Sequence, residues 1–334
     1  MAGWAPIPAR PLQTRNGDFV LSVMNLQSSL AAAFSPRLLI LYSIMISAII
    51  VHYRGRERLK FLRQLTDHST FMAPYNVLVY AFSAVPNTPF LDVERFPELK
   101  PLSDNWRVIR EEAVALYDQD RIKRSEKFDD LAFNSFFKSG WKRFYLKWYG
   151  HNHASARALC PKSVELVESI ASVKAAMFAM LPPGATLGRH RDPFAGSLRY
   201  HLGLVTPNTD DCRIWVDAEP YSWRDGEAVL FDETYIHRAE NNSNSPRIIL
   251  FCDVERPLRT GLARAANRFF ARTFVAAAVT ANEPGEKVGV LNRIFGVVYH
   301  LRGVARRMKR TNRIVYYTLK LSLVAGLVYL IFMT

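Results

Sequence analysis

Residues 190–204 read HRDPFAGSLRYHLGL, and the fold turns on how this stretch is placed. Its second half alternates. Arg199, His201, Gly203 and Val205 fall on one side of a strand, and Tyr200, Leu202 and Leu204 on the other. The second side is fit for a buried core. The first carries an arginine and a histidine beside a glycine that leaves room, which reads as the floor of an anion site. His190 and Asp192 also stand two apart, so at the end of an extended segment both reach one metal ion. Charged and imidazole groups carried into a sheet without a function are costly.

A third ligand is supplied by His237 in FDETYIHRAE, 47 residues after His190 and just past another apolar run. His-x-Asp followed by a distant His is the spacing of a facial triad of two histidines and one carboxylate. That triad leaves open positions on Fe(II) for an oxidant and a co-substrate. Ten residues further on, Arg247 opens RIILFCDV, where Arg247, Ile249 and Phe251 share a face. A buried arginine there needs an anion, and a dicarboxylate such as 2-oxoglutarate meets it through a two-point pair. The bland alternative is a set of satisfied core polar residues. A second histidine pair, His151 and His153 in GHNHAS, sits in a turn after a strand and reads as loop.

Around these residues the pattern is strand-rich. WKRFYLKWY (141–149), KAAMFAML (174–181), SLRYHLGLV (197–205), CRIWVDA (212–218), EAVLFDE (227–233) and PRIILFCDV (246–254) are separated by PPG, PNTDD, RDG and NNSNSP turns. Helical patterns occupy 105–123 and 161–173, the latter opened by Pro161. Strands at this spacing with polar turns predict a sandwich or jelly roll.

The chain has 334 residues, 49% of them hydrophobic, which excludes a disordered protein. Cys160, Cys212 and Cys252 are sparse and lack a CxxC, which argues against a disulfide framework or a cysteine zinc site and fits a reducing compartment. The net charge of +14 is concentrated beside two apolar runs, LLILYSIMISAIIV at 38–51 and IVYYTLKLSLVAGLVYLIFM at 314–333. Both runs carry their basic cluster on the side facing the middle of the chain, so the middle is predicted to be cytoplasmic. Residues 290–310 place Leu291, Ile294, Phe295, Val298, Leu301 and Ala305 on one helical face and basic residues on the other, as suits an anionic membrane surface. Anionic lipid, and no nucleic acid, is therefore the expected partner of the charge. The chain divides into a tail at 1–37, a transmembrane helix at 38–53, a catalytic domain at 64–258, a basic amphipathic region at 259–310 and a transmembrane helix at 314–333. The apolar, proline-bounded segment 73–90 suits either a membrane dip or ordinary core.

HRDPFAGSLRYHLGL, SWRDGEAVLFDETYIHRAEN and RIILFCDVERP together resemble the aspartyl/asparaginyl β-hydroxylase family of Fe(II)/2-oxoglutarate oxygenases. RGRERLKFLRQLTDHSTFMAP, FNSFFKSGWKRFYLKWYG and the two apolar runs resemble its bacterial lipid-hydroxylating branch, so that the resemblance covers about residues 38–334. It implies a mainly β fold with flanking helices, a double-stranded β-helix (jelly roll) plus two transmembrane helices. It implies His190, Asp192 and His237 as iron ligands, and Arg199, His201 and Arg247 as holders of 2-oxoglutarate. The implied activity is oxygen-dependent hydroxylation of the 2-position of a fatty acyl chain on lipid A or its precursor, at the bacterial inner membrane. Two departures from the animal branch stand out. That branch has a glycine where Asp192 stands, and a serine that touches 2-oxoglutarate falls at about Ala179 here. The rival expectations are a peptidyl aspartyl/asparaginyl hydroxylase with the same site and a membrane-tethered binding module without turnover.

Overall fold

The computed structural model describes residues 34–60, 63–64, 67–123 and 130–333. Most of the expected tail at 1–37 lies outside the described residues. Two antiparallel sheets form the centre. The major sheet has the order β1 (Phe90–Leu91), β9 (Ala228–Phe231), β6 (Ser197–Val205), β11 (Arg247–Glu255), β4 (Val173–Leu181), β2 (Lys142–Trp148), β3 (His151–Asn152). The minor sheet has the order β5 (Thr186–His190), β10 (His237–Asn241), β7 (Cys212–Val216), β8 (Glu219–Ser222). From β4 onward the chain crosses between the sheets at almost every turn, so strands distant in sequence become neighbours. This is the jelly roll expected from the strand spacing, mainly β with flanking helices.

The major sheet separates two cores. Its outer face carries Leu198, Leu202, Phe178 and Leu250, packed with Ile109, Ala113, Leu116, Val164 and Val167. These last come from α3 (Trp106–Asp118) and α4 (Pro161–Ser169). In α3 the buried residues recur at one helical face, and α4 starts with a proline in its first turn. Each Leu, Ile or Val among them contributes roughly 1.5–3 kcal/mol on full burial. The inner face meets the minor sheet over a second core that includes Met177, Ile249, Phe251, Ile214 and Trp223.

The first apolar run forms α1 (Pro36–Tyr53), opened by Ser35, whose hydroxyl accepts from the Leu38 N–H at 3.4 Å. Among the described residues it is the one helix that meets the length and apolarity needed to cross a membrane. Ile40, Met45, Ile46, Ile49 and Ile50 are exposed on it, while Ser47, Ala48, Val51 and His52 are buried near its end. There it packs against α2 (Ala73–Phe82). The segment 73–90 is thus a helix with Ala73, Asn76, Val79 and Tyr80 buried and Leu78 exposed, leading into β1. Past the jelly roll come α5 (Gly261–Phe270), α6 (Val290–Thr311) and α7 (Arg313–Met333). The second apolar run is helical in α7. The expected pair of spanning helices is met, among the described residues, by α1 alone.

Two local expectations change. The space beside Gly203 is not left to a ligand: a Cβ there would collide with the Arg224 carbonyl, and the Gly203 N–H donates to the Glu227 carbonyl at 3.0 Å. His151 and His153 are not free loop residues. His151 pairs in β3, and His153 is buried against Tyr145 and lies 3.4 Å from Glu286.

Candidate metal centre and cofactor pocket

β5 ends at His190 and β10 begins at His237, and the two residues are direct partners across the antiparallel ladder. Asp192 follows two residues after β5. Its N–H donates to the Glu233 carbonyl at 2.9 Å, which ties this loop to the turn between β9 and β10. The result is that one donor atom each from His190, Asp192 and His237 lies within 4.8 Å of the others, and no other such group of three occurs among the described residues. The His190 Nδ1–H donates to the Gly188 carbonyl at 2.6 Å, and the His237 Nδ1–H to the Tyr235 carbonyl at 3.0 Å. Each bond fixes the ring and its tautomer, with the proton on Nδ1 and the lone pair on Nε2, the arrangement that a ligating histidine uses. Burial, then the neighbouring His190 ring, pushes His237 down to about 3, so it is neutral at ordinary pH.

Behind Asp192 lies a buried ionic cluster. Arg199 Nη2 donates to Asp192 at 2.8 Å, pairs with Glu233, and places Nε 3.0 Å from Asp253. Burial works against the Arg199 charge, and the three carboxylates outweigh it and raise its pKa. The guanidinium sits 3.7 Å over the Phe251 ring. Glu233 also accepts from the Ser197 hydroxyl at 2.8 Å, and Asp253 from Tyr149 at 2.9 Å. Burial pushes Glu233 well above the usual carboxylate range and Asp253 above it, against the pull of Arg199.

The other end of the same cavity is lined by Arg247, His201, Trp223 and Ile249. Arg247 is 2% exposed. Its guanidinium stacks 4.3 Å over the Trp223 ring, and among the described residues no carboxylate pairs with it. Burial pushes Arg247 down to about 10. His201 has no partner for either ring nitrogen, and burial, then Arg247 and Arg199, hold it well below its ordinary value. An unpaired buried guanidinium costs about 3–5 kcal/mol, a cost that an anion in the cavity would offset.

The six residues read from the sequence therefore line one cavity. His190, Asp192 and His237 converge at one end, and His201 and Arg247 stand at the other. Arg199 lies beside Asp192, on the side of His201 away from Arg247, and is engaged by the protein's own carboxylates. Sequence reasoning missed Glu233, Asp253 and Trp223. Alternation from Arg247 through Ile249 and Phe251 puts Asp253 on the same face, so that signal was present. Glu233 and Trp223 lie in turns, where no periodicity marks them.

Fold and site define a class: a jelly-roll protein with a two-histidine, one-carboxylate cluster in a cavity that also holds a buried guanidinium. Residues 103–257 match the model of the family described as Aspartyl/Asparaginyl beta-hydroxylase. The matched stretch contains all six cavity residues read from the sequence, and over it the chain is similar to this hydroxylase family. An ornithine lipid ester-linked acyl 2-hydroxylase from Rhizobium tropici is 31% identical over 185 residues, 54% of this chain and 64% of that protein. Human aspartyl/asparaginyl beta-hydroxylase is 29% identical over 164 residues, 48% of this chain and 21% of its own length. The chain thus spans less than two thirds of both relatives. Among solved structures, a Pseudomonas putida prolyl-4-hydroxylase aligns over 46% of this chain and 87% of its own, at 17% identity and a TM-score of 0.31. So slight a likeness adds nothing to the strand order.

Proposed function

We propose that the protein is an Fe(II)- and 2-oxoglutarate-dependent hydroxylase. It acts on the 2-position of a fatty acyl chain of lipid A or its precursor, at the bacterial inner membrane, with the catalytic domain on the cytoplasmic side. The observation that carries the chemistry is the convergence of His190, Asp192 and His237 beside a buried, unpaired Arg247. Two imidazoles and one carboxylate suit iron(II) and leave positions open. Bound iron, with 2-oxoglutarate and oxygen, supplies the oxidising power that turns C–H into C–OH and releases succinate and CO₂.

The chain's residues do the rest. Arg247 holds the far carboxylate of 2-oxoglutarate by a planar, two-point pair, and neutral His201 offers a hydrogen bond beside it. Arg199 orients Asp192 and sets its charge toward the histidines. Phe231, Ile249 and Phe251 keep water from the reacting carbon.

A membrane lipid as substrate is supported by α1 and by the apolar exposure of Leu262 and Phe269 on α5 and of Ile294 and Leu301 on α6. Arg306, Lys309, Arg310 and Arg313 form a basic rim where α6 meets α7, as expected next to anionic lipid. In this reading α7 is a second span. The likeness to the Rhizobium tropici enzyme favours a second substrate of the same chemistry, the ester-linked acyl chain of an ornithine lipid.

The test is mass spectrometry of lipid A and of ornithine lipids from cells with the gene, without it, and with His237→Ala. One added oxygen on an acyl chain, present only with the intact gene, is expected. Unchanged lipids together with a hydroxylated peptidyl aspartate or asparagine would move the substrate to peptides. A purified protein that binds no iron would leave only the binding-module reading.

A further inference from the structure

The anchor helix and the metal site meet in one place. Arg191 is the residue between the two ligands His190 and Asp192, and it is only 3% exposed. Its Nη1 does not face the cavity. It donates to the carbonyl of Val51 at 3.2 Å, in the last turn of α1. Carbonyls at a helix end lack partners within the helix, and a cation there is favoured by the helix dipole.

A second link runs the other way. Arg54 caps the end of α1. Its Nη2 donates to Asp232 and its Nη1 to the Thr234 hydroxyl at 2.7 Å. The guanidinium is held between the rings of Tyr80 and Tyr235, at 3.8 and 3.9 Å. Asp232 and Thr234 flank Glu233, whose carbonyl fixes the Asp192 loop and whose carboxylate pairs with Arg199. Tyr235 supplies the carbonyl that orients His237. Next in sequence, Gly55 lies where any side chain would strike Asp217 and Tyr235, and the Glu57 N–H donates to Asp217 at 2.8 Å. Arg189, before His190, pairs with Glu57 at 2.8 Å. Each of the three ligands is thus within a residue or two of a group bound to residues 51–57.

We infer that Arg191 and Arg54 are positioning residues that make the end of the anchor helix part of the frame of the metal site. The site is then fully formed only when α1 is seated, and its mouth is held in register with the membrane surface. This rests on the reading of His190, Asp192 and His237 as metal ligands. It adds that the substrate is presented at the interface by a fixed anchor, next to the headgroup-proximal carbons of an acyl chain, rather than by a tethered domain that turns freely.

The test uses the full chain in nanodiscs, with Co(II) alone as the probe. Affinity is read by titration and ligand geometry by the Co(II) absorption spectrum. Melting of the metal-free protein is the fold control. Arg191→Gln and Arg54→Gln are each expected to weaken Co(II) about tenfold and to alter the spectrum, the size seen when groups behind metal ligands are removed. Asp232 keeps its 2.7 Å pair with Arg256 in the Arg54 variant, so the fold should hold. Arg56→Ala, which removes an exposed pair with Glu219, is expected to change nothing. Arg191→Lys keeps one donor and should restore most of the affinity. Wild-type affinity and spectrum in folded Arg191→Gln and Arg54→Gln would overturn the inference. Should Arg191→Gln fail to fold, Arg54→Gln decides by the same readouts. Absence of Co(II) binding in the unaltered protein is a different failure, and removes the ligand assignment itself.

Discussion

The two faces of the major sheet share the same strands and differ in everything else. On the helix side, β4, β6 and β11 present Phe178, Met180, Leu198, Leu202, Ile248 and Leu250, all buried and apolar. One residue along, the same strands present Arg199, His201 and Arg247 to the cavity, with Ile249 and Phe251 among them, and Asp253 to Arg199 beside it. Backbone and burial are alike on both sides. One side is paid for by burial of carbon, and the other carries unpaired imidazole and guanidinium. Stability and chemistry are therefore interleaved residue by residue rather than placed in separate regions.

Substitutions on alternate residues test this division. Asp192→Ala should abolish hydroxylation and weaken metal binding while the melting temperature stays close to that of the parent, since the lost group belongs to the cavity and no core volume goes with it. Turnover by the folded variant would leave a site of two histidines only. Phe178→Ala, on the opposite face, should cost about 3–5 kcal/mol in urea unfolding, with activity per folded molecule retained. A large loss of activity without loss of stability would show that the faces are not independent.

Arg247→Lys should leave stability nearly unchanged and raise the half-saturating 2-oxoglutarate concentration at least about tenfold, because one charged hydrogen bond is worth about 1.5–3 kcal/mol. An unchanged half-saturation point would remove Arg247 from the carboxylate. The smallest effect is expected for Met180→Leu, a volume-conserving change on the core face. It should cost less than about 1.5 kcal/mol and leave kinetics as they are.

The same interleaving explains what the sequence made legible. Ser197–Val205 was read to the residue as a strand, and Arg247–Glu255 to within one position, because nine-residue alternation is a strong signal. The HxD spacing and one later histidine pointed to His190, Asp192 and His237, and the fold brings these three together. The minor sheet was harder. Thr186–His190 and His237–Asn241 are only five residues each and largely polar, and Glu219–Ser222 contains a proline. Short strands of that kind look like turns. The contacts of Arg54 and Arg191 were invisible for another reason: they join residues 140 or more positions apart, and only tertiary structure says which basic residue of a juxtamembrane cluster points inward. The surface reading of that cluster was right for Arg56, which is mostly exposed, and missed its neighbour.

The pairing of His190 with His237 on a single rung has a consequence for how faithfully the site forms. Register in this ladder is already irregular just past His237, between it and Ala239. A slide of β10 by one residue would set Arg238 opposite His190 and turn the imidazole to the other face of the sheet. No intermediate alignment offers a weaker version of the same donor pair. With respect to register the donor pair is all-or-none: an aligned molecule has it, and one shifted by a residue would lack it. A preparation with half its capacity for metal would be a mixture of aligned and misaligned molecules, not a uniform population of poor binders.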